Sequence, residues 1–103
     1  MIRQGDVLLV PRAPLTTNER ARAVPVPREA GRVVLAHGEV TGHAHAIADP
    51  GTTMYELDGM RVVDCGPGAA LVHEEHTAHA LAGTYRVIRQ REYTAGMVRR
   101  VAD

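Results

Sequence analysis

Apolar and polar residues follow one another in short blocks along this chain, and turn residues divide the blocks. Ile2 to Val10 ends in the apolar run Val7-Leu8-Leu9-Val10, closed by Pro11, and reads as a buried first strand. From Arg32 onward the turn signals come at regular intervals. Arg32 to Val40 reads as a strand, separated by Thr41-Gly42 from another that runs from His43 to Ala48. Past the turn Asp49-Pro50-Gly51, strands over Thr53 to Leu57 and Met60 to Cys65 flank Asp58-Gly59. That dipeptide suits a tight hairpin, because a type I′ turn needs positive φ at both central residues. Gly66-Pro67-Gly68 leads into Ala69 to Val72, and Ala82-Gly83 precedes a strand over Tyr85 to Tyr93. Met97 to Val101 is a candidate terminal strand.

Residues 11–31 break the rhythm. They hold Pro11, Pro14, Pro25 and Pro27 among charged residues, a composition suited neither to a helix nor to a central strand. The stretch is expected to be a surface loop or an edge excursion. Many short strands with no convincing helix point to one all-β domain over residues 1–103, a small barrel or a sandwich. With no Phe, no Trp and three Tyr, its core must be built from Val, Leu, Ile and Ala.

Charge narrows the partners. Twelve basic residues balance twelve acidic ones, and the arginines are scattered, which argues against a nucleic-acid surface. Every basic residue is Arg, a bias of GC-rich bacterial genomes that carries no functional weight. Cys65 is alone, so an intramolecular disulfide is excluded and a reducing, cytoplasmic setting is expected. No apolar leader and no run of 18 apolar residues is present, so neither secretion nor membrane insertion is expected.

The candidate chemistry lies in the histidines. All six fall between positions 37 and 79. On a straight strand His37, Glu39, Thr41, His43 and His45 share one face, and the local pair His43-x-His45 survives even if Thr41-Gly42 breaks it. Two imidazoles so placed can converge on one ion. A second group, His73-Glu74-Glu75-His76-Thr77-Ala78-His79, follows in a β-like segment. Its histidine spacing is three, not four, which rules out the helical zinc-protease motif. A histidine-rich wet surface, sensitive to pH, is the competing reading.

These segments resemble two sets of proteins. Gly38 before His43-x-His45, with Asp49 four residues on, and Gly68 eleven residues before His79 resemble the two metal motifs of cupins, small β-barrels of jelly-roll type. The match departs in its first spacing, in Asp for Glu, and in Glu74 and His76 where Pro and Gly are usual. Gln4-Gly5-Asp6, Gly38-Glu39, Thr41-Gly42-His43-x-His45, His73-Glu74-Glu75-His76 and Gln90-Arg91-Glu92-Tyr93 also resemble short bacterial and phage proteins of no established activity. The cupin resemblance implies His79 as the third imidazole; the second shifts the emphasis to His76.

The metal set expected from sequence is therefore His43, His45, His76 or His79, and Asp49. It suits a divalent Fe, Mn, Ni or Zn ion. Glu39 and Glu75 are candidates for general base or for orienting an imidazole, and Arg91 for binding an anionic ligand. Two function classes stay open. One is a metal-dependent enzyme or small-molecule binder, compatible with a homodimer. The other is a non-catalytic protein-interaction module of phage or mobile-element origin.

Overall fold

The computed structural model describes residues 1–38 and 40–90. The chain opens with β1 (Ile2–Gln4) and β2 (Val7–Arg12), then α1 (Thr17–Arg22) and β3 (Val24–Pro25). There follow β4 (Val33–His37), β5 (Ala44–Ile47), β6 (Thr53–Leu57) and β7 (Met60–Cys65). Finally come β8 (Ala70–His73), β9 (His76–Ala80) and β10 (Gly83–Arg89).

All strand pairings are antiparallel, in one sheet ordered β1-β2-β10-β7-β6-β3 and another ordered β4-β5-β8-β9. The fold is all-β, as the turn spacing implies. Its form is that of two facing sheets, and no closed barrel is found among the described residues. The β6–β7 hairpin turns on Asp58 (φ 51°) and Gly59 (φ 80°), as that dipeptide requires. The segment read as one strand from Ile2 to Val10 is instead a hairpin, because Gly5 adopts φ 57° and folds β2 back on β1. Met97 to Val101 lies outside the described residues.

The two sheets meet on a core of aliphatic side chains. Val7, Leu9 and Val63 from the larger sheet face Leu35, Ile47 and Leu71 from the smaller, with Tyr85 as its aromatic member. A smaller cluster of Leu15, Leu57 and Val62 lies on the other face of the larger sheet. Leu57 and Val62 reach it because each is an odd number of residues from a core-facing neighbour, Met54 and Val63.

The chain between β2 and β4 corrects the expectation of a loop without helix. It carries α1, a six-residue helix with no buried residue, which hydrophobic periodicity could not reveal. Its signal is instead the capping box: Thr16 Oγ1 accepts from Glu19 N–H (3.1 Å), and Glu19 Oε1 accepts from Thr16 N–H (2.9 Å). Arg12 adds an ion pair to the same carboxylate at 2.7 Å. No helix among the described residues is long and apolar enough to cross a membrane. Thr16→Ala removes one half of the box and is expected to lower stability by about 1 kcal/mol, read from urea unfolding.

Candidate metal centre

Two hairpins of the smaller sheet carry the histidines, and the pairing of β5 with β8 through Ala46 and Val72 sets them side by side. The first hairpin does not run straight. Gly38 N–H donates to the His43 carbonyl (2.8 Å) and His43 N–H to the Val40 carbonyl (3.0 Å), so the chain reverses between β4 and β5. His37 consequently sits opposite Ala44 and bonds to Glu29 at 2.9 Å. In the second hairpin Glu74-Glu75 forms the turn, which places His73 directly across from His76.

The imidazoles of His43, His45, His73 and His76 gather at the mouth of a pocket of about 330 Å³. Ring centroids lie 4.3 Å apart for His45 and His73, 4.6 Å for His73 and His76, and 5.6 Å for His45 and His76. His43 stands edge-on to His73 at 5.7 Å. Ligand atoms of His45, His73 and His76 fall within 4.8 Å of one another, and those of His43, His73 and Glu74 do so as a second group.

The floor of the pocket comes from the β1–β2 hairpin. Gln4 is 2 % exposed and donates through Nε2 to the carbonyls of Leu71 (3.1 Å) and Thr77 (3.0 Å). Those two acceptors fix the amide's orientation, so Oε1 must face His45 Nδ1, at 2.8 Å. An amide oxygen only accepts, so the His45 proton is on Nδ1. Its Nε2 therefore presents a bare lone pair to the pocket. Asp6 Oδ1 stands 3.5 Å from that nitrogen, and Asp6 Oδ2 is paired with Arg89 at 3.2 Å.

Glycine is needed where the backbone meets the rings. A Cβ on Gly5 would lie 3.0 Å from both His45 Cε1 and His76 Nε2, and one on Gly38 would lie 2.9 Å from His73 Nε2. His45, 3 % exposed, is held neutral: burial lowers its pKa to about 4, helped by His73, His76 and Arg89 and opposed by Asp6. His73 Nδ1 accepts from Glu75 N–H at 3.0 Å, so neutral His73 carries its proton on Nε2. It joins a coordination sphere through Nε2 only with a change of tautomer and loss of that contact.

The remaining sequence-predicted residues divide clearly. His43, His45 and His76 line the pocket, and so does Glu75, whose Oε2 is 3.8 Å from His43 Nδ1. His43 Nδ1 is buried with no hydrogen-bond partner among the described residues. His79 pairs with Leu71 on β9 and does not line the pocket. The β8–β9 register shifts between the His73–His76 pair and the Leu71–His79 pair, so the pairing seats His79 beside Leu71, one step along the hairpin from the clustered rings.

Asp49 is not brought to the histidines either. Its Oδ2 accepts from Thr52 Oγ1 (2.8 Å), and that hydroxyl accepts from Gly66 N–H (3.1 Å), a knot that closes the turn before β6. Glu74 ties the hairpins together by accepting from Ala44 N–H at 3.0 Å, which also holds its carboxyl below the usual range. Cys65 is an inert thiol, pushed up to about 11 chiefly by burial. Glu39 and Arg91 lie outside the described residues.

Sequence reasoning missed Gln4, Gly5 and Asp6 as site residues and left His73 out of the ligand set. The Gly5-Asp6 pair is itself a hairpin signal. Reading Glu74-Glu75 as a two-residue turn would have set His73 opposite His76.

The buried neutral His45 gives metal-free protein a definite acid sensitivity. Its folded pKa of about 4 lies below the unfolded value of 6.5, so the unfolded chain takes up the proton first as pH falls. Stability should be full above pH 6.5 and drop between there and pH 4, by an amount on the order of 3 kcal/mol. Urea unfolding across this range checks it, and His45→Gln should flatten the slope.

No curated protein and no solved structure matches this chain. Residues 3–90 match a family described as Domain of unknown function (DUF8820), a span that runs from β1 past β10 and takes in both histidine hairpins and the Gln4-Gly5-Asp6 turn. The chain belongs to the DUF8820 family.

Proposed function

We propose that this protein binds a divalent metal ion at the histidine pocket and is cupin-like in drawing its imidazoles from two separate hairpins. The observation that carries this reading is the pair His45 Nε2 and Asp6 Oδ1. A lone pair and a carboxylate oxygen face each other at 3.5 Å, with the His45 proton committed to Gln4 on the far side of the ring. Two acceptors so placed repel unless a proton or a metal ion lies between them, and burial disfavours the proton on His45. In a tetrahedral site with bonds of about 2.0–2.1 Å, neighbouring ligand atoms are about 3.4 Å apart.

His45, His73 and His76 would hold the ion, His73 after moving its proton to Nδ1 and giving up the Glu75 N–H contact, with Asp6 as the carboxylate in the role that the sequence suggested for Asp49. Three imidazoles and a carboxylate suit Fe(II), Mn(II), Ni(II) or Zn(II). Such an ion, when bound, supplies a Lewis acid for a small molecule admitted to the pocket. Gln4 contributes by fixing the His45 tautomer, and outer partners of this kind usually matter for affinity by factors of about 10–100. Glu75, exposed at the pocket lip, is placed to take up or return a proton there.

Elemental analysis of untagged protein should find about one equivalent of Fe, Mn, Ni or Zn per chain. His45→Ala should abolish retention, and Gln4→Ala should weaken affinity by about 10–100-fold in a chelator competition. Asp49→Ala should cost about 1–2 kcal/mol of stability while leaving the metal content unchanged. A fully folded, metal-free protein that takes up none of the four added ions would sink the proposal and leave the interaction-module reading standing.

A further inference from the structure

A second concavity, of about 640 Å³, lies where β10 outruns its neighbour. β10 pairs with β7 only as far as Val87 opposite Arg61, whereas its pairing with β2 continues to Arg89 opposite Val7. Beyond that point β7 has only Met60 left, because the chain turns at Asp58-Gly59. The sheet therefore has a notch beside Ile88 and Arg89.

The notch explains an otherwise odd lining. Arg86 and Arg89 are three residues apart on one strand and point to opposite faces, yet both border the same space, and Arg61 joins them from β7. Two of these guanidinium groups, those of Arg61 and Arg86, share the space with one carboxylate, Glu56. Its contact with Arg61 is 3.4 Å long and solvent-exposed, the kind of pair that contributes little. Arg89 is engaged with Asp6 at 3.2 Å. The wall between the arginines is apolar, made by Met60, Val87 and Ile88.

We infer that this notch is a binding site for a small organic anion, a carboxylate carrying a short apolar chain. The guanidinium groups match a carboxylate through paired charge-assisted hydrogen bonds, and the apolar wall takes the chain. The volume falls within the range of small-molecule sites. An added β-strand is disfavoured, because the open edge of β10 spans only Ile88 and Arg89 before the strand ends. The inference stands apart from the metal proposal, although Arg89 borders the notch while holding Asp6 beside His45.

Calorimetric titration with octanoate tests it, using the protein as purified and after chelator treatment, with octanol and inorganic phosphate as comparison probes. Saturable octanoate binding is expected in both preparations, clearly tighter than either comparison probe. Arg61→Gln and Arg86→Gln, both at exposed positions, should each weaken it by at least about tenfold with unchanged thermal unfolding. Octanol binding as well as octanoate would mean apolar adsorption and overturn the inference, as would phosphate binding equally well. Loss of octanoate binding on chelation would move the carboxylate to a metal ion and overturn it too. Failure of these titrations would leave metal content, and the proposal resting on it, untouched.

Discussion

The hydrogen bond between Gln4 and His45 is the constraint on which the site depends. It joins the edge hairpin of the larger sheet to a buried strand of the smaller one, at 2.8 Å and almost without solvent. A buried amide is tolerated only when all its groups are satisfied, and here the two carbonyls of Leu71 and Thr77 satisfy the donor end. The oxygen then has one task, to hold an imidazole in one tautomer. One polar side chain thereby locks the sheets together and sets the chemistry of the pocket.

Around that bond the sequence divides its labour by residue size. Glycines 5 and 38 stand where any side chain would strike a histidine ring, and Ala44 and Ala46 flank His45 on a strand buried throughout. Small residues bring backbone close enough for imidazoles from separate hairpins to crowd to centroid distances of 4.3–5.7 Å. Aliphatic residues do the rest, since among the described residues Tyr85 is the one tyrosine of the main core and the chain has neither Phe nor Trp.

Much of the fold was legible because it is written in local terms. Asp58-Gly59 demanded a hairpin, and the strands on either side, Thr53–Leu57 and Met60–Cys65, run as their apolar pattern indicated. The helix α1 escaped notice because it buries nothing, so its only mark is a cap. At the site, His43, His45 and His76 could be read from spacing along the chain. Asp6 could not, because its proximity to His45 depends on how two sheets pack, which no spacing encodes. Asp49 had the right spacing and a different occupation, closing a turn against Thr52 and Gly66.

The partners of Gln4 lie 41, 67 and 73 residues away along the chain. Contacts of such separation incur their loop-closure entropy before they return any stabilisation, so they belong to the end of folding rather than its beginning. The hairpins β6–β7 and β8–β9 can form from neighbours alone; the histidine pocket cannot. Its floor is supplied by the first residues of the chain and its walls by residues 37–76, so the pocket exists only in the completed domain. An unfinished or partly unfolded chain displays the same histidines without the fixed tautomer, the carboxylate or the shaped cavity.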